Sequence, residues 1–154
     1  MNAEHLNPII AASKFVINQT CGIELKPGKP YVTQSEYTDD VFVVLLGITG
    51  QLHGQVILAM SKEIAKVLAS KMMMGMPVPE LNDMAKSALG ELMNMMMGNA
   101  MTIFAEKNIL LDITPPTIFV SKDLSLNVGD SRMIAIPLEF DAGMLELNIA
   151  IKEG

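Results

Sequence analysis

Ser87, Glu91 and Asn94 stand at i, i+4 and i+7 inside a helix-like run from Leu81 to Phe104. At about 100° per residue the three side chains fall within a sector of about 60°, and Gly98 extends the same line. A hydroxyl, a carboxylate and a carboxamide on one stripe of a rigid rod can address a single small object together. The carboxamide both donates and accepts hydrogen bonds, so it can hold a water in line for attack without changing charge. The carboxylate one turn earlier can pair with a lysine of a partner. Neither residue is a convincing covalent nucleophile, and the set contains no arginine or metal cluster to neutralise a phosphoryl group unaided. The missing parts of a hydrolytic centre would have to come from the molecule acted upon.

Such a stripe needs a helix that is held firmly on its other side. Ala85, Leu89, Leu92, Met93, Met96, Ala100 and Ile103 gather around the reverse direction, the pattern of a helix that buries one face and presents the other. The presented face lacks the usual mixture of Lys and Glu, which suits it to docking. Of the fourteen methionines, Met93 and Met96 belong to the buried side. Met84, Met95 and Met101 flank the polar stripe, where soft thioether side chains can adapt to a partner surface.

The periodicity of the rest predicts the elements around this helix. An apolar helix pattern opens the chain at Leu6, Ile9, Ile10, Phe15, Val16 and Ile17; Pro8 is tolerable only in its first turn, and Gly22 ends it. After the turn at residues 27–30, Tyr31 to Tyr37, Phe42 to Thr49 and Gln51 to Met60 read as strands. Ser61 caps a short helix whose buried side is Ile64, Val67, Leu68 and Met72, stopped by Gly75 and Pro77. Beyond the long helix, Ile113 to Val120, Met133 to Phe140 and Met144 to Lys152 read as strands, the last two joined by a turn at Asp141-Ala142-Gly143. Helix followed by three strands thus occurs twice. The expected fold is α/β in the α+β sense: duplicated helix-plus-three-strand units forming an antiparallel-rich six-stranded sheet with long helices packed on it, because the connections are too short for parallel crossovers.

At 154 residues the chain is expected to form a single domain, 1–154, large enough to bury a substantial core. The longest apolar stretch, Val41 to Leu46, is far short of the ~20 residues that span a bilayer, and the first residues lack a basic and a hydrophobic signal segment, so a soluble cytoplasmic protein is expected. Cys21 is the sole cysteine, which excludes an internal disulfide and a multi-cysteine metal site and suggests a small core residue. His5 and His53 have no Cys, Asp or Glu at ligand spacing, and no intrinsic metal or cofactor is expected. A net charge of −6 with one arginine, Arg132, and no tryptophan opposes nucleic-acid binding. The Gly47-Ile48-Thr49-Gly50 segment reads as a tight turn rather than a phosphate cradle.

The pattern Ser87-x-x-x-Glu91-x-x-Asn94 resembles the (Asp/Ser)-x-x-x-Glu-x-x-Asn signature of the CheC, CheX and FliY phosphatases of bacterial chemotaxis. The length, the two helix-plus-three-strand halves, the Gly90-Glu91-Leu92-x-Asn94 context and the segment Asp112-Ile113-Thr114-Pro115-Pro116-Thr117 look most like the CheX members, as does the presence of one motif rather than two. The resemblance implies hydrolysis of the aspartyl phosphate of a CheY-type response regulator. Asn94 would orient the attacking water and Glu91 would engage a regulator lysine, with Mg²⁺ held by the partner. Ser87 and Gly98 would belong to the docking surface, Gly98 by letting the partner backbone come close. The resemblance also implies a homodimer. Glu4-His5-Leu6-Asn7 repeats Glu-x-x-Asn in the first helix, but Pro8 follows at once, so both residues are expected in a helix start, where Glu4 complements the dipole. Two rival readings use the same residues: a non-enzymatic binding or assembly module of the chemotaxis or flagellar switch apparatus on the same fold, and a small-molecule sensor using the methionine-rich surface.

Overall fold

The computed structural model describes residues 3–34, 36–125 and 132–153. Three helices, α1 (Ala3–Cys21), α2 (Lys62–Met72) and α3 (Asp83–Glu106), accompany eight strand segments: β1 (Lys26–Pro27), β2 (Tyr31–Thr33), β3 (Glu36–Gly50), β4 (Leu52–Ser61), β5 (Leu111–Ile113), β6 (Thr117–Ser125), β7 (Met133–Phe140) and β8 (Gly143–Glu153). Every pairing is antiparallel. β1 and β2 share one flank of β7, and β5 and β6 share one flank of β3, so the eight segments occupy six positions: β1/β2, β7, β8, β4, β3, β5/β6. The two halves exchange their first strands. β2 of the first half pairs with β7 of the second, β6 of the second pairs with β3 of the first, and β4 and β8 meet in the middle. This arrangement is the duplicated, antiparallel α+β fold that the periodicity predicts.

Alternation along the strands sorts their side chains. Phe42, Val44, Leu46, Val56, Leu58, Leu147 and Ile149 join the buried faces of the three helices in one large core. The intervening residues Val41, Val43, Ile57, Ala59 and Met133 form a smaller cluster, with Tyr37, Leu45 and Phe119 packed against it. Burial on both faces explains why residues 41–46 are apolar without interruption, although antiparallel strands ordinarily alternate. On this second side Tyr31 donates its hydroxyl to Glu146 Oε2 at 2.5 Å, and that bond pushes its pKa up to about 12. Burial raises the Tyr37 hydroxyl pKa, against the opposing effect of Asn148 Nδ2 donating to its oxygen at 2.8 Å. Cys21 is a core thiol, its pKa also raised by burial.

Three local expectations are corrected. Pro8 lies in the second turn of α1, not the first, because the helix already starts at Ala3. The lost hydrogen bond to the Glu4 carbonyl and the ring's crowding of that turn are tolerated because Pro8 is buried with Ile9 and Ala12. Tyr31 to Tyr37 is no single strand; β2 stops at Thr33, and β3 runs from Glu36 through the predicted Phe42–Thr49 segment. The stretch Ile113 to Val120 is interrupted at residues 114–116, since Pro115 and Pro116 have no N–H for a ladder. The helix ends follow their local chemistry. Ser61 Oγ accepts from Ile64 N–H at 3.1 Å at the start of α2, and Gly22 takes φ +66, the left-handed geometry that stops α1.

Candidate functional site

α3 is the longest helix among the described residues, and it is fixed at both ends and along one face. Asn82 caps it, its Oδ1 accepting from Ala85 N–H at 2.9 Å. Ala85, Leu89, Leu92, Met93, Met96 and Ala100 are fully buried, as the spacing predicts. Ile103 is only half-buried, and Gly90, Met97 and Phe104 join the buried set instead. α1 packs alongside α3, and α2 against both.

The stripe emerges on the opposite side. Ser87 and Glu91 are exposed, and Asn94 and Gly98 are half-buried. The described ion pairs, Lys62–Asp40 and Lys66–Glu63, use none of these side chains, and no hydrogen bond among the described residues occupies them. A Cβ added to Gly98 would meet nothing within 4 Å, so the helix surface there is open to an approaching backbone. Met84 is 63% exposed. Met101 is half-buried, and Met95 is half-buried with its flank against the main core, which leaves Met84 as the freest of the three flanking thioethers.

Ser87, Glu91 and Asn94 line an open groove of about 410 Å³ together with Asp83, Lys86, Gly90, Pro116 and Ile118. Five of these eight residues were not part of the sequence-level stripe. Gly90 forms the floor where α3 meets the far wall: a Cβ there would sit 3.6 Å from Ile118 and 3.7 Å from Pro116. That wall is held by Thr114. Its N–H donates to Gly47 O at 3.0 Å, and its Oγ1 accepts from Gly47 N–H at 2.8 Å. A glycine on β3 leaves room for the clamp: a Cβ on Gly47 would stand 3.3 Å from the Thr114 methyl, closer than ordinary van der Waals contact. The Thr-Pro-Pro segment therefore shapes the site: the prolines end strand pairing and the threonine pins the resulting wall against Gly90. The sequence signal was present in residues 114–116, but its proximity to the stripe depends on strand pairing between β3 and β6.

Chemically the described residues of the groove offer a neutral carboxamide, the two carboxylates of Glu91 and Asp83, a hydroxyl and the Lys86 ammonium, beside an apolar wall. Among the described residues no cluster of three or more His, Cys, Asp or Glu could hold a metal ion, and no helix is long and apolar enough to cross a membrane. A larger cleft of about 660 Å³, lined by Tyr31, Tyr37, Ser61, Glu63 and Glu146 among others, shares no residue with this groove. Glu4 and Asn7 are exposed near the start of α1.

Comparison with known proteins places these features in a family. Residues 42–139 match the model of the chemotaxis phosphatase CheX. The CheY-P phosphatase CheX of Thermotoga maritima is 32% identical over 155 aligned residues, covering 100% of this chain and 99% of that protein. A CheC-like superfamily protein from a Shewanella species superposes with a TM-score of 0.89 at 23% identity, covering 99% of each chain, which shows the fold. The CheX of Borrelia burgdorferi, solved in a complex with CheY, BeF₃ and Mg²⁺, superposes with a TM-score of 0.82 at 27% identity over 97% of this chain and 98% of that one. With the family model matching residues 42–139 and the Thermotoga protein aligning over the whole chain, the chain belongs to the CheX family of chemotaxis phosphatases.

Proposed function

We propose that this protein accelerates hydrolysis of the aspartyl phosphate on a CheY-type response regulator. The observation that supports this reading best is the unengaged Glu91 and Asn94 pair on the open side of a helix whose other side is fully buried. A rigid, preorganised carboxamide is what a water-positioning role requires, and a phosphoryl transfer with a loose transition state needs alignment more than it needs a strong base. Asn94 orients the water, and Glu91 pairs with a regulator lysine and so fixes the register of docking. Mg²⁺ and that lysine, both supplied by the regulator, stabilise the charge on the phosphoryl oxygens. Ser87, Gly98 and the thioethers of Met84, Met95 and Met101 form the surrounding contact surface.

The named partners of the relatives support the substrate class: one is a CheY-P phosphatase and another was captured with CheY. The reading places the protein in the cytoplasm and, on family grounds, as a homodimer. The outer sides of β1/β2 and β5/β6 have no partner strand among the described residues, which leaves sheet edges for such an association. The test is direct. Several receiver domains are charged with acetyl phosphate and phosphate loss is followed with and without the protein. Catalytic acceleration for one receiver is expected; binding with no acceleration of any receiver would return the chain to the assembly-module reading.

A further inference from the structure

Among the described residues, Lys86 is the one cation that lines the groove with Glu91 and Asn94. It lies about 100° around the helix from Ser87, off the polar stripe. The wall of Pro116 and Ile118 brings that flank of α3 into the site. Lys86 is half-buried, and neither ion pair described in the molecule includes it, although Asp83 lines the same groove one turn earlier. A partly desolvated, unpaired ammonium gains from an anionic partner more than a fully solvated one does. In a chain of net charge −6, and beside the carboxylates of Asp83 and Glu91, it is also the one positive group that the described residues place where a phosphoryl dianion would arrive.

We propose that Lys86 contacts the phosphoryl oxygens of the regulator's aspartyl phosphate, adding a cation in trans to those that the regulator supplies. The inference rests on the function proposed above. In the reaction the water oxygen forms a bond to phosphorus, the bond from phosphorus to the aspartate oxygen breaks, and its electron pair leaves with the carboxylate. Both water protons end on the released phosphate. Lys86 neither gives nor takes a proton; it offsets charge on the equatorial oxygens, as trans-acting cations do in other phosphoryl transfers.

The experiment compares wild type, Lys86→Met and Lys86→Arg for binding to a CheY-type receiver in Mg²⁺, with and without beryllofluoride on its aspartate. The receiver is the one whose phosphate loss the wild type accelerates most. Met keeps the stem and the helix propensity, so the fold is retained. Lys86→Met is expected to weaken binding of the beryllofluoride form by about tenfold or more while changing the unloaded form by less than about twofold. Lys86→Arg should restore most of the preference. Equal weakening of both forms would make Lys86 a general docking charge, and an unchanged ratio would make it a bystander; either overturns the inference while the phosphatase reading stands. If the wild type accelerates phosphate loss from no receiver, the reading fails and the inference with it.

Discussion

Replacing Asn94 by alanine should separate stability from activity. The side chain is half-buried and makes no hydrogen bond among the described residues, so truncation orphans no buried partner. Position 94 lies in the middle of α3, where alanine is the better helix former by about 0.5 kcal/mol. That gain is offset by a few tenths of a kcal/mol of lost contact area, so folding free energy should move by less than about 1 kcal/mol in either direction. Activity should respond differently. Losing one preorganised hydrogen-bonding group aimed at the reacting water typically costs about 10²–10³ in rate, equivalent to about 2.7–4 kcal/mol of barrier. Phosphate release from an acetyl-phosphate-charged receiver, measured at saturating phosphatase, reports the chemical step. Urea denaturation of the same preparation reports the fold. Wild-type acceleration in the variant would refute the water-positioning role. A stability loss well above 1 kcal/mol would refute the claim that the amide has no structural duty.

Leu92→Ala, at a position with 0% exposure, should cost about 2–5 kcal/mol and lower Tm by roughly 5–20 °C; an unchanged Tm would invert the assignment of helix faces. Tyr37 and Tyr31 both have raised hydroxyl pKa values in the folded state, Tyr31 up to about 12. The unfolded chain releases these protons near pH 10 while the folded chain keeps them, so this stabilisation is complete below about pH 10 and is lost as pH rises through the folded values. Urea midpoints between about pH 9 and 11.5 should fall more steeply for the wild type than for a Tyr31→Phe, Tyr37→Phe double variant. Equal slopes would refute that linkage. Asn7→Ala should leave the rate of receiver dephosphorylation within about twofold of wild type; a loss comparable to that of Asn94→Ala would reveal a second working site on α1.

Much of this architecture was legible because period and punctuation agreed. Six of the seven core positions read on α3 follow from spacing, Ile103 being the exception, and Ser61 and Gly22 mark helix ends where their side-chain oxygen or missing Cβ is used. The polar stripe follows from the same angular arithmetic. The groove does not, because its far wall arrives through a strand pairing that no local pattern encodes. Thr117 and Ile118 lie beside Leu45 and Val44 only because β6 of the second half crosses to β3 of the first. Lys86 and Gly90 become site residues once that wall stands over them. The interrupted strands had a visible cause in Pro115 and Pro116, but a proline pair indicates where pairing stops without saying what the freed segment will face.

The duplication raises the question of why α3 should act and α1 should not. The buried positions His5, Pro8, Ile9, Ala12, Ser13 and Val16 of α1 have the same spacing as Leu89, Leu92, Met93, Met96, Met97 and Ala100 of α3. When these are matched, Asn7 falls at the place of Glu91, Ile10 at the place of Asn94, and Glu4 at the place of Ala88. The Glu-x-x-Asn sequence of α1 is therefore displaced by one turn from the register in which α3 presents its own. A displacement of three residues is about 4.5 Å along the axis and about 60° around it, enough to miss a water held over a fixed phosphoryl group, where an error near 1 Å already costs about 10²-fold. In the same match Leu6 falls at the place of Gly90, so α1 carries a side chain where α3 leaves the floor of its groove bare. The two halves share a scaffold for holding a helix on a sheet, and in the proposed mechanism the chemistry depends on the register of a carboxamide on one of those helices.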